Sequence, residues 1–175
     1  MVTVGDKAPD FIAPAVVDGA AVEFELFRQV EASEAVLIYF YPADFVPTCT
    51  AELCGMREAG WAAVDGLSVV GVRADSLYAG VAYADRFEIP FPLAMDDSGR
   101  VAASYDLLAD AWEGHTDVPR RAAVVVDGDW TVRFREAAGD ALDRPAPGPV
   151  QNATATLREL GLDADRPRVN YDGPW

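Results

Sequence analysis

Cys49 and Cys54 are the only two thiols in this 175-residue chain, and they lie five positions apart. A secreted disulfide scaffold carries more cysteines in a shorter chain, so a close pair in a chain of this length points to redox or metal chemistry. A structural metal site wants four Cys or His ligands. The only histidine is His115, alone in a polar stretch, where it reads as a surface residue and not as a catalytic base. A metal is therefore not expected, and the activity inferred below requires no other cofactor.

The run AVLIYFY (35–41) is continuously apolar and rich in β-formers, and it predicts a buried, parallel-type strand. Tyr39, Phe40 and Tyr41 within it read as core, not as a ligand cage. Pro42 opens a proline-bearing loop that runs to Thr48, and CTAELCGMREAGW (49–61) has helical character with a weak point at Gly55. This places Cys49 where a helix begins. Unpaired backbone N–H groups at a helix start stabilise an anion, which predicts a depressed thiol pKa. A reachable thiolate attacks peroxide and becomes a sulfenic acid. The same position also suits a small buried hydrophobe, as free cysteine often is.

On a regular helix, residues five apart have Cα atoms about 8.7 Å from one another, whereas a disulfide needs less than about 7 Å. A Cys49–Cys54 bond therefore requires part of the helix to unwind, which Gly55 makes easier. Cys54 is either a partner for a sulfenic acid at Cys49 or an inert buried helix residue.

The segment YFYPADFVPTCTAELC (39–54) resembles the peroxiredoxin active-site signature: Pro, three residues, Thr or Ser, two residues, Cys. Pro42 and Cys49 stand at the right spacing. Glu52 matches the acid usually found three residues after the cysteine. The second cysteine at plus five resembles the Q-type, bacterioferritin-comigratory branch, or its alkyl hydroperoxide reductase E-like kin. GDKAPDF (5–11), LSVVGVRADS (67–76), IPFPLAMDDSGRVAASYDL (89–107) and RAAVVVDGD (121–129) are similar to further family segments, so the resemblance covers roughly residues 3–160.

The resemblance implies a role for each of these residues. Cys49 is the peroxidatic and Cys54 the resolving cysteine, and Arg121 holds the peroxide oxygen and the thiolate, with Arg120 in the adjacent register. Pro42 shapes the loop that shields the thiolate, where residue types alone allow a simple chain turn. Glu52 orients Arg121, where they allow a plain first-turn acid. One position departs from the pattern: the family's Thr or Ser is Val46. Valine has the shape of threonine but no donor or acceptor. Loss of one charge-assisted hydrogen bond there costs about 1.5–3 kcal/mol, or about 10- to 150-fold in rate. Thr48 carries a hydroxyl but is expected to cap the helix.

The elements that must position these residues alternate in type. Beyond the first strand, 67–73 predicts a second buried strand and 77–88 a helix with Tyr83 and Phe87 on one face, ended near Pro90. Residues 91–95 read as a short extended piece, 96–99 as a turn, and 100–107 as a further helix. Residues 121–126 form a third strand, Asp127-Gly128 a hairpin signal, 130–135 the returning strand, 143–149 a loop, and 150–160 a helix stopped at Gly161. This is an α/β chain. The resemblance makes it a thioredoxin-like fold with a central mixed sheet flanked by helices, spanning 1–162, followed by a tail at 163–175.

Composition agrees with one globular domain, being 51% hydrophobic and 10% aromatic. The net charge is −15, with 13 Arg and a single Lys, Lys7. Such a surface repels nucleic acid and anionic membranes, and the even spread of acids reads as solubility more than as a binding face. No apolar run approaches the about 20 residues that span a bilayer, and MVTVGDKAPDF has no basic stretch leading into an apolar one, so a cytoplasmic location is expected.

The expected activity is reduction of hydrogen peroxide or a small organic hydroperoxide, with recycling by a thioredoxin-like dithiol, in a monomer or homodimer. Two rivals stand beside it. A disulfide oxidoreductase would use Cys-x-x-Cys, but four residues separate these sulfurs. A non-catalytic or weakly active binding or redox-sensing domain would follow from the missing hydroxyl at Val46.

Overall fold

A computed structural model describes all residues, Met1–Trp175. The strands are β1 (Ile12–Val17), β2 (Ala20–Glu25), β3 (Ala35–Phe40), β4 (Leu67–Arg73), β5 (Leu93–Met95), β6 (Ala122–Asp127) and β7 (Val132–Ala137). The helices are α1 (Leu26–Ala32), α2 (Pro47–Glu58), α3 (Leu77–Phe87), α4 (Arg100–Ser104) and α5 (Pro149–Glu159). One mixed sheet of order β2-β1-β5-β4-β3-β6-β7 carries them all. β3, β4 and β5 run parallel, and the remaining pairings are antiparallel.

β3 lies near the centre, between β4 and β6, and every residue of it is buried. Its two faces feed two cores. Ala35, Leu37 and Tyr39 pack with Leu53 and Met56 of α2 and with Val150 and Leu157 of α5. Val36, Ile38 and Phe40 pack with Leu26 and Val30 of α1 and with Val101 and Tyr105. Burial on both faces is why the sequence there is continuously apolar and not alternating.

The β4 and α3 readings hold to within a residue, and Tyr83 and Phe87 meet edge to face at 5.3 Å. Other readings are corrected. α4 ends at Ser104, because Asp106 turns left-handed at φ 54°, and Asp96 caps its start by accepting from the amides of Val101 and Ala102. The 127–131 turn is longer than a two-residue hairpin. Asp127 Oδ1 accepts from Asp129 N and Thr131 N, Trp130 takes φ 64°, and the return strand starts only at Val132. The β1–β2 hairpin and α1 were not expected.

α2 begins two residues earlier than expected, with Pro47 in its first turn and Val46 at the cap position. Proline suits that place, since its missing N–H would have had no helical partner. Thr48 does not cap the helix; its hydroxyl donates to Ala141 O instead.

The segment 163–175 has no regular structure but returns across α2 and α5. Trp61 Nε1 donates to Asp165 O at 2.7 Å, Arg158 Nε to Ala164 O at 2.9 Å, and Gln151 Nε2 to Pro167 O at 3.0 Å. A Cβ added at Gly55 would stand 2.6 Å from Arg168 O, a backbone atom that cannot swing aside. Gly→Ala inside a helix ordinarily gains about 1 kcal/mol, worth about 2–4 °C in a chain of this size. Here Gly55→Ala is expected to yield no such gain and to leave the C-terminal segment more readily cut in limited proteolysis. A full rise in Tm with unchanged cleavage would refute this contact.

Candidate active site

Cys49 lies in the third position of α2, completely buried beneath the end of β3. The first backbone bond of the helix runs from Thr50 N to Val46 O at 2.9 Å, and the amides of Thr48 and Cys49 have no partner within the protein. These two N–H groups are the anion-stabilising ones expected at a helix start.

The expected low thiol pKa is not what the closed site produces. Burial pushes the Cys49 thiol up to about 12, with Arg121 the strongest opposing influence and the hydroxyls of Thr48 and Tyr39 assisting it. Position in the helix was legible from sequence, whereas complete removal from water was not, and desolvation is the larger effect.

Arg121 and Glu52 form a wholly buried ion pair through Arg121 Nε and Glu52 Oε1. Glu52 also accepts from Tyr39 Oη at 3.2 Å and, on Oε2, from Val150 N at 3.2 Å, in the first turn of α5. Burial pushes the Glu52 carboxyl up, and Arg121 is the main force holding it down. All three of its neighbours here donate and none accepts, so the carboxylate is the form this arrangement fits. Arg121 Nη1 donates to Ala141 O at 3.0 Å and Asp143 O at 2.6 Å, and Nη2 to Tyr171 Oη at 3.2 Å. The structure thus gathers Cys49, Glu52, Arg121 and Thr48 into one cluster. Arg120 is half-buried beside it, with Nη2 donating to Ala138 O.

Pro42 and Arg121 line an open cavity of about 330 Å³, together with Trp112, Arg120, Ala138 and Ala141. Val46 is buried in the same core cluster as Cys49. Thr50 Oγ1 turns to Val46 O at 2.9 Å and to Tyr83 Oη at 2.7 Å, so that hydroxyl is committed elsewhere. Cys54 is buried on the same unbroken helix as Cys49, both thiols are free, and burial raises the Cys54 pKa as well.

Three contributions went unread in the sequence. The loop after β3 is anchored by a second buried ion pair, Asp44 Oδ1 to Arg73 Nε at 3.1 Å, to which Tyr41 Oη adds a bond at 3.0 Å. Burial pushes Asp44 up to about 6, with Arg73 pulling it down. Arg73 was given no role of its own within the second buried strand. Tyr39 had looked like core alone, and Tyr171 lay in a stretch without periodicity. No group of three or more His, Cys, Asp or Glu side chains is arranged to hold a metal ion.

Comparison with known proteins identifies the family and the fold. The family model described as the AhpC/TSA family matches residues 4–135. A Coxiella burnetii chain bearing the name peroxiredoxin bcp is 32% identical over 111 residues, covering 62% of this chain and 70% of that one. The chloroplastic peroxiredoxin Q of Oryza sativa subsp. japonica is 28% identical over 134 residues, 76% of this chain but only 58% of its own length. Among solved structures, peroxidoxin BcpB of Mycobacterium tuberculosis superposes with a TM-score of 0.73 at 28% identity, covering 91% of this chain and 98% of that one.

Proposed function

This chain belongs to the AhpC/TSA family, and from that premise we propose that it is a thiol peroxidase with Cys49 as its nucleophile. One observation carries the reading: Cys49 sits at two unpartnered helix amides, in the field of a buried arginine that Glu52 holds in place. A guanidinium and oriented amides stabilise both a thiolate and the charge that develops on a departing oxygen.

The reaction runs in three steps. The Cys49 thiolate attacks the outer peroxide oxygen; the S–O bond forms, the O–O bond breaks, and the leaving oxygen takes the proton given up by the thiol. Water or an alcohol departs and Cys49 is a sulfenic acid. The Cys54 sulfur then attacks the Cys49 sulfur, water leaves, and a disulfide results. An external thioredoxin-like dithiol reduces that disulfide by thiol exchange. The cavity at Pro42 and Arg121 is much larger than hydrogen peroxide and has apolar wall at Leu108, Ala111 and Trp112, which supports small organic hydroperoxides as substrates beside it. A cycle that must be returned to the dithiol by an external reductant suits a reducing compartment, and the cytoplasm is the location we propose.

The burial of Cys49 gives the mechanism its demand. The neutral thiol is favoured in the closed site, so Arg121 and the amides must offset desolvation when the thiolate forms. The second step makes a further demand, because α2 must unwind between the two cysteines before they bond.

Treatment with stoichiometric hydrogen peroxide, followed by peptide mass spectrometry, tests this reading. Wild type is expected to lose both thiols and gain a Cys49–Cys54 disulfide. Cys54→Ser is expected to stop at oxidised Cys49, and Cys49→Ser to consume no peroxide. Peroxide consumption that survives Cys49→Ser would overturn the assignment.

A further inference from the structure

We propose that Tyr171 is a positioning residue for Arg121, which makes the C-terminal segment 163–175 part of the peroxide site. The proposal rests on the peroxidase reading and adds a residue to it.

The argument begins with the donors of Arg121. A guanidinium has five N–H groups in a rigid plane. Four are engaged: Nε–H by Glu52, both Nη1 hydrogens by the carbonyls of Ala141 and Asp143, and one Nη2 hydrogen by Tyr171 Oη. One Nη2 hydrogen is left. Arg121 is also the strongest influence lowering the Cys49 pKa. The remaining hydrogen is thus the one available to the thiolate or to a peroxide oxygen. Because the group is planar, its direction is set by where the other four point.

Tyr171 acts on that plane in two ways. Its hydroxyl accepts from Nη2 at 3.2 Å, and its ring lies under the guanidinium carbon at 5.7 Å from the centroid. The hydroxyl proton is itself directed, donating to Pro145 O at 2.8 Å, so its lone pairs are the atoms turned to Arg121. Gly148 leaves room for it, since a Cβ there would come within 3.0 Å of Tyr171 Oη. The segment that brings it is held at Asp165, Ala164 and Pro167 as described, and beside Tyr171 by Asp172 Oδ1 on Arg144 Nη1 at 2.7 Å. Glu52 and Tyr171 therefore hold two different nitrogens of the guanidinium, Glu52 the Nε from α2 and Tyr171 the Nη2 from the C-terminal segment.

Tyr171→Phe keeps the ring and removes the acceptor, while Tyr171→Ala removes both. Three quantities are to be measured in each: the rate of Cys49 oxidation by hydrogen peroxide, the rate of Cys49 alkylation by iodoacetamide at one alkaline pH, and Tm. The expected result for Tyr171→Phe is oxidation about tenfold slower, alkylation slowed in the same direction, and Tm close to wild type. Tyr171→Ala is expected to be slower still. Oxidation and alkylation in Tyr171→Phe that are unchanged or faster would overturn the proposal. So would slow oxidation that tracks a fall in Tm with no change in alkylation, since that describes a merely structural tyrosine. If wild-type Cys49 is oxidised no faster than free cysteine, the peroxidase reading fails, and the alkylation rates still decide whether Tyr171 acts on Arg121.

Discussion

Glu52→Leu is expected to lower the unfolding free energy by about 3–5 kcal/mol, measured by denaturant titration. The leucine removes the only carboxylate paired with Arg121 and leaves a guanidinium buried with no counter-charge. It also strands Tyr39 Oη and Val150 N, each of which loses its acceptor. Peroxide oxidation of Cys49 is expected to fall with it, because Arg121 loses the partner that holds its Nε, although Ala141, Asp143 and Tyr171 still hold its Nη groups. The double variant Glu52→Leu/Arg121→Met separates the two effects. Replacing both ions by apolar groups of similar size is often neutral, so most of the lost stability is expected to return while the peroxide rate does not. A loss under about 1 kcal/mol in the single variant would show that water reaches the pair, and recovered peroxidase activity in the double would remove Arg121 from the mechanism.

The parts of this molecule that were legible in sequence are those that burial writes locally. β3 and β4 are covered on both faces and so appear as unbroken apolar runs, and α3 shows its Tyr83–Phe87 spacing. The spacing of Pro42, Cys49 and Glu52 carried the site because all three lie on one loop and one helix. What was missed has weak local pattern. β2 is an edge strand with most of its residues exposed, so little apolar alternation marks it, although Asp18-Gly19 before it takes φ 49° and 75° as a tight hairpin requires. α2 starts at a valine without a side-chain cap, so the one start signal was Pro47 in the first turn, which reads equally as part of the proline-bearing loop before it. Arg73–Asp44 and Arg121–Tyr171 join residues 29 and 50 positions apart through loop geometry, for which no periodicity exists. The pKa of Cys49 was misjudged for a related reason. Its helix position is a local property, whereas its burial is made by β3, α2 and the C-terminal return together.

Val46→Thr is expected to accelerate peroxide oxidation of Cys49 by about 10- to 150-fold, the equivalent of one charge-assisted hydrogen bond. Valine and threonine share a shape, so the core around Cys49 has no need to move. The hydroxyls that already assist the thiolate are divided between partners, Thr48 donating to Ala141 O as well, and Thr50 lies between Val46 O and Tyr83, so a hydroxyl at 46 adds a bond that none of them supplies in full. Tyr39 Oη is shared with Glu52. A second outcome is open to the new hydroxyl because position 46 is also the uncapped start of α2. Turned toward the helix, it would bond an amide of the first turn and raise stability by about 0.5–2 kcal/mol. It would then compete for the same unpaired amides that the thiolate uses. Rate and Tm measured together distinguish the two orientations: a faster rate at unchanged Tm places the hydroxyl at the sulfur, and a higher Tm at unchanged rate places it on the helix. The second result would mean that Arg121 and the two amides already supply what this site needs, and that valine at 46 costs the peroxidase nothing.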